Sequence, residues 1–239
     1  MLELRSLHQI AAADIGWLRA RHHFAIGSYG NPAHGPVGNL YVWNDDEIAP
    51  RSGFPLHHHA NVEIITYVRE GAITHEDSLG NRGRTVAGDV QVMSAGTGIR
   101  HSERNEEVVP ARIFQIWIHP REQDGTPRWG SKPFPKSDRS GRFIALASGS
   151  AVDGALPIRA DAEVYGAVLP AGMTTEVALH AGGSAYLVPA VGTVLVNDQR
   201  VEACEGIAVR QEALIRIEAI VDAEVVLVVT GALPDRRGT

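Results

Sequence analysis

Short runs with apolar residues at every second position, closed by Gly, Asn, Asp or Pro, recur along this chain and predict strands rather than helices. The first clear run is Gly38-Asn39-Leu40-Tyr41-Val42-Trp43, followed by a turn at Asn44-Asp45-Asp46. Further strands are expected at 62–68, 72–75, 89–93 and 111–118, with Leu79-Gly80-Asn81 as a turn. Ahead of them, residues 1 to about 35 read as an arm. It is expected to hold one short helical piece, in which Ala11-Ala12-Ala13-Asp14 precedes Ile15-Gly16-Trp17-Leu18.

The alternation breaks between Pro120 and about Asp161, where Pro127, Pro133, Pro135 and Pro157 interrupt it. Arg121, Arg128, Lys132, Lys136, Arg139 and Arg142 are diluted there by Glu122, Asp124 and Asp138, which predicts a solvated linker with a strand beginning near Arg142. Strand patterns resume at 163–169, 174–179, 184–188, 193–196, 207–209, 214–217 and 224–229. This second set repeats the lengths and turn spacing of the first, so the chain reads as an internal duplication of one β-barrel. The expected organisation is an amino-terminal domain over 1–120, a Pro-rich linker over 121–160 and a second domain over 161–239.

Composition narrows this all-β picture. With 44% hydrophobic and 21% charged residues in 239, the chain can bury a substantial core. A formal net charge of -6 argues against broad direct affinity for nucleic-acid phosphates. Cys204 is the only cysteine, so an intramolecular disulfide is excluded, and it is expected to be a small packed residue. Glu3 and Arg5 interrupt the apolar stretches of residues 1–13, and no run is long enough to span a membrane as a helix, so a cytoplasmic location is expected.

The chemistry concentrates in two places. His57 and His59, two apart on an extended segment, point to one face, and so do His101 and Glu103. A glycine-rich turn, Ser94-Ala95-Gly96-Thr97-Gly98-Ile99-Arg100, presents the second pair. A single His-x-His is a weak signal in a chain with eleven histidines, but two such pairs on strands of one barrel form a mixed nitrogen and oxygen site for a first-row metal. These donors suit iron, copper, nickel, manganese, cobalt and zinc alike and do not choose among them; iron is carried as the leading expectation. The second half has His180 alone and no counterpart of either pair, so no metal is expected there.

The stretch from Gly53-Phe54-Pro55-Leu56-His57-His58-His59 through Glu63 to Gly71 resembles the first cupin motif in its pirin form, and Gly88 through His101-Ser102-Glu103 resembles the second. The segment His22-His23-Phe24-Ala25-Ile26-Gly27-Ser28-Tyr29 and the run Phe114-Gln115-Ile116-Trp117-Ile118 are also similar to pirin sequences. The resemblance implies two cupin-type jelly-roll barrels in tandem, with one metal held in the first by His57, His59, His101 and Glu103. It further implies opening of a flavonol, quercetin, with dioxygen and release of carbon monoxide; for that reaction Glu103 is the expected catalytic base, taking the proton of the flavonol hydroxyl. Other members act as metal-dependent transcriptional co-regulators, so a non-enzymatic redox sensor working through a protein partner is the alternative. A zinc-filled isomerase or sugar-binding cupin is a third.

One departure and one competing ligand accompany the resemblance. His58 stands where the family generally has proline, and strand alternation points it away from the metal. Glu63 competes with Glu103 as fourth ligand, because many cupins use the glutamate that follows His-x-His; the pirin pattern favours Glu103. His22, Phe24 and Tyr29 either line the mouth of the cup or pack the arm against the barrel, the second being preferred. His75 and His119 are expected on the surface.

Overall fold

The computed structural model describes residues 1–150, 152–179 and 182–231, so His180 lies outside the described residues. Its strands, in chain order, begin with β1 (Leu2–Arg5), β2 (Ala11–Asp14), β3 (Leu18–His22), β4 (Leu40–Ile48), β5 (Ser52–His59) and β6 (Glu63–Glu70). Then come β7 (Ala72–Asp77), β8 (Arg82–Val86), β9 (Val90–Ser94), β10 (Ile99–Asn105), β11 (Ala111–Ile118) and β12 (Arg128–Lys132). A 3-10 turn, Lys136–Arg139, precedes β13 (Ile144–Ser148), β14 (Leu156–Pro157), β15 (Ala162–Leu169), β16 (Thr174–Ala178) and β17 (Ser184–Val191). The chain continues through β18 (Val194–Val196), β19 (Gln199–Val201), β20 (Gly206–Arg210), β21 (Leu214–Ala219) and β22 (Ala223–Thr230).

These strands build two jelly-roll barrels of the same design. The first pairs a seven-stranded sheet, β12-β9-β6-β11-β4-β3-β2, with a four-stranded sheet, β5-β10-β7-β8. The second repeats it as β1-β20-β17-β22-β15-β13-β14 over β16-β21-β18-β19, with β4 to β11 matched in order by β15 to β22. Among the described residues no helix is long and apolar enough to cross a membrane.

The two large sheets pack face to face. Phe114, Ile116 and Ile118 of β11 meet Tyr186 and Val188 of β17 and Val226 and Val228 of β22 in one core between the barrels. Val225, Leu227 and Val229, the alternate residues of β22, fill the interior of the second barrel. Such a strand is buried on both faces, which explains why its sequence is a continuous apolar run rather than an alternating one.

Three expectations change. The piece expected to be helical at 11–18 is instead part of the β2–β3 hairpin, turned at Gly16, whose φ of +88 suits glycine. Alanine is a strong helix former, but intrinsic propensity is a small bias, and here pairing of β2 along β3, itself laid along β4, outweighs it. The Asn44-Asp45-Asp46 segment does not turn but continues inside β4. The stretch expected to be a linker, 121–160, is built into both barrels: β12 adds to β9, and β13 adds to β15. Conversely, β1 leaves the arm to pair with β20 of the second barrel.

A buried charge cluster ties these pieces together. Arg139 is fully buried and donates to the Tyr67 hydroxyl (2.8 Å), the Gly88 carbonyl (3.3 Å) and the Glu224 carboxylate (3.1 Å). Tyr67 also donates to Glu224, which accepts a further bond from Lys136 at 2.6 Å. Replacing Glu224 by alanine leaves the Arg139 cation buried without its counter-charge, a loss of about 3–5 kcal/mol. Thermal denaturation should show Glu224→Ala melting roughly 6–20 °C lower, at roughly 2–4 °C per kcal/mol; a shift below about 2 °C would show that the cluster does not hold the barrels together.

Candidate metal centre

Strand β10 alternates cleanly: Ile99, His101, Glu103 and Asn105 are buried, while Arg100 and Arg104 are exposed. It lies between β5 and β7, with His101 opposite His57 on one side and Asp77 on the other. A register shift between His101 and Glu103 offsets the carboxylate along β5. There Gly53 is needed, because a Cβ would lie 2.4 Å from the Glu103 carbonyl oxygen.

This pairing brings His57, His59 and His101 together, with donor atoms all within 4.8 Å of one another. Ring centroids are 4.4 Å apart for His57 and His101, 4.8 Å for His57 and His59, and 5.2 Å for His59 and His101. His58 is exposed on the opposite face of β5, as alternation requires. Glu103 shares a cavity of about 270 Å³ with His57 and His59, walled by Phe54, Ile64 and Trp117. Asn44, Asp46 and Gln115 supply its polar lining.

The donors fit a divalent cation. The buried Nε2 of His101 has no hydrogen-bond partner. His57 Nδ1 lies 2.7 Å from the Pro55 carbonyl, which can only accept, so that nitrogen carries the proton and Nε2 the lone pair. Burial pushes the pKa of His101 down to about 4, against the attraction of Glu103, and the neighbouring imidazoles add to the fall. Burial and then His57 likewise take His59 down to about 4. Both rings are therefore neutral and able to ligate at neutral pH.

Glu103 is buried yet kept ionised. Burial works to raise its pKa, but the histidines His101 and His75 and hydrogen bonds from Gln115 and Thr66 hold it below the usual range. Its Oε1 accepts from Thr66 Oγ1 (3.0 Å) and Gln91 Nε2 (2.6 Å), and its Oε2 from Gln115 Nε2 (2.9 Å). One lone-pair position on Oε2 remains for a cation or a substrate proton. Thr85 donates to Gln91 Oε1 at 3.0 Å and so turns the Gln91 amide toward the carboxylate.

Glu63, the competing carboxylate, lies elsewhere. It is buried, accepts from Ser94 Oγ at 2.7 Å, and stands outside the His57, His59 and His101 group and outside a second donor group that joins Glu103 to His75 and His101. Thr66, Gln91 and Gln115 went unnoticed in the sequence reading. Each is a buried polar residue flanked on its strand by apolar neighbours, and that is the signal that marks them. Of the arm residues, Phe24 packs on Tyr186 between the barrels, whereas His22 Nδ1 reaches Asn44 Oδ1 at the cavity wall (3.0 Å). Tyr29 is exposed.

His75 is a correction. Expected on the surface, it is fully buried, stacked on Trp129 at 4.7 Å and 8°, with Nδ1 3.4 Å from His101 Nδ1 and Nε2 3.0 Å from Asp77 Oδ2. Trp129 arrives on β12, from the stretch expected to be a linker, so no local pattern places a ring there. His119 is half-buried and stacks on Tyr41 at 4.0 Å.

In the second barrel the equivalent face of β16 and β21 carries Val177, Ile215 and Ile217, which belong to its apolar interior. That face of the second barrel is apolar among the described residues, and the molecule is a two-barrel cupin with a histidine-rich cavity in its first barrel. The chain belongs to the pirin family: residues 4–118 match the pirin domain, and residues 145–228 match the quercetinase C-terminal cupin domain. It is 59% identical to a pirin-like protein of Caulobacter vibrioides, over 95% of this chain and 99% of that one. It is 37% identical to the quercetin 2,3-dioxygenase of Escherichia coli K12, over 95% and 97% of the two chains. The solved bacterial pirin YhhW of E. coli in complex with nickel(II) superimposes with a TM-score of 0.92 at 35% identity, covering 98% of this chain and all of that one.

The depressed imidazole pKa values have a measurable consequence. In the unfolded chain His59 and His101 take up protons near pH 6.5; in the folded, metal-free protein they do so only near 4. Between those limits the unfolded state binds more protons, so stability falls as pH drops from about 6.5 to about 4. Histidine NMR titrations of the metal-free protein should place both midpoints near 4; midpoints near 6.5 would contradict the burial described.

Proposed function

We propose that this protein is a metal-dependent dioxygenase acting on flavonols of the quercetin type, with one divalent transition metal held by His57, His59, His101 and Glu103. The carrying observation is the convergence of three imidazoles, two of them lining an aromatic-walled cavity that also holds a buried, ionised carboxylate. The names of the relatives support the substrate class, and the nickel complex of one supports a divalent ion.

A metal bound there supplies Lewis acidity toward a substrate oxygen and a meeting place for dioxygen. The protein does the rest. Glu103 accepts the proton of the flavonol hydroxyl, and Gln91, Gln115 and Thr66 hold it in position to do so. Phe54, Ile64 and Trp117 clasp the aromatic rings and exclude water.

A carboxylate that is both ligand and base separates two variants. Glu103→Gln should lower turnover by about 10²–10⁴ with a smaller loss of metal, whereas His57→Ala should lose metal and turnover together. Oxygen-electrode assays on quercetin, paired with metal analysis, read both. Full turnover in metal-loaded Glu103→Gln would refute the base role. A fully loaded wild-type protein that consumes no oxygen with any of these metals would refute the dioxygenase.

A further inference from the structure

Pro55 settles which nitrogen of His57 carries the proton, but nothing in direct contact settles it for His101. Its Nδ1 faces another imidazole nitrogen, His75 Nδ1, at 3.4 Å, and one of the two must donate while the other accepts. If His75 donates, His101 carries its proton on Nε2 and has no lone pair for a metal there. The answer lies one residue further out. His75 Nε2 is 3.0 Å from Asp77 Oδ2, and a carboxylate only accepts.

We infer that Asp77, acting through His75, sets the tautomer of His101 and thereby directs the bare Nε2 lone pair of His101 toward the metal position. The order of donation runs inward to outward: His101 Nδ1–H to His75 Nδ1, then His75 Nε2–H to Asp77. His75 and Asp77 are positioning residues, since neither lines the cavity beside His57 and His59.

The surroundings hold this chain of donors in place. Asp77 Oδ1 accepts from the backbone N–H groups of Leu79 (2.9 Å) and Asn81 (3.0 Å), which fixes the carboxylate and leaves Oδ2 for His75. The Asn81 amide also donates to Oδ2 at 2.9 Å. The indole of Trp129 lies flat on the His75 ring and stops it from turning over. That stack needs Gly83, where a Cβ would come within 2.2 Å of the Trp129 ring. The buried His101 Nε2 without a partner is the far end of the same arrangement.

This inference rests on the metal reading above, yet its first test uses the metal-free protein. Imidazole ¹⁵N shifts of wild-type protein should show His101 protonated on Nδ1 and bare on Nε2, with His75 protonated on Nε2. Finding the proton on His101 Nε2 overturns the proposal directly. Asp77→Asn keeps an oxygen for the Leu79 and Asn81 amides and turns an amide donor toward His75. It should reverse both tautomers and weaken zinc(II) binding about 10- to 100-fold, measured by chelator competition.

His75→Phe keeps the stack on Trp129 and removes the link, and should weaken zinc(II) binding without reversing a partner. If Asp77→Asn folds and binds zinc(II) within twofold of wild type, or leaves the His101 shifts unchanged, the proposal fails. If Asp77→Asn does not fold, the wild-type shifts and His75→Phe still decide: binding within twofold in His75→Phe also refutes it. Absence of zinc(II) binding by the wild type would refute the metal reading and leave the tautomer assignment standing on its own spectra.

Discussion

Strand β10 sits between two partners, and its register against both sets what the first barrel can do. On one side His101 faces His57; on the other it faces Asp77, while Glu103 faces His75. A slip of one residue would exchange the inward set for Arg100, Ser102 and Arg104 and destroy the donor cluster. Inward-facing Ile99 and Asn105 anchor that register, Ile99 in the small core beside the cavity and Asn105 through hydrogen bonds to the Ile48 and Val109 carbonyls. The site is rigid because the hydrogen-bonded ladders on either side of it are.

The second barrel supplies the frame. Its large sheet lies against the large sheet of the first, so β11 carries Gln115 into the cavity on one face and Phe114 and Ile116 into the shared core on the other. Repetition of one strand plan therefore serves different ends: donors converge in one barrel, and Val177, Ile215 and Ile217 fill the matching space in its companion. Arg139, Tyr67 and Glu224 close the seam with a buried ionic contact.

The sequence made part of this legible. Period-two spacing places His57 with His59 and His101 with Glu103 on common faces, because strand geometry alone determines the alternation. The same rule located most strands of both barrels. What it could not show depends on contacts between distant segments. The pairing of β1 with β20 leaves no local mark, and the alanines at 11–13 carry a helical propensity that edge pairing overrides. His75 looked like a strand-end residue because its burial comes from Trp129, more than fifty residues later. Thr66, Gln91 and Gln115 were visible as polar interruptions, but only the folded barrel shows that all three point at one carboxylate.

One ion sitting among these particular donors is what the proposed chemistry requires. An anomalous difference map from crystals of the protein loaded with nickel(II) tests it most directly. A single strong peak is expected within coordination distance of His57, His59, His101 and Glu103, about 2.0–2.2 Å from each donor. A peak beside Glu63, a peak between His75 and His101, or none in the first barrel would contradict it.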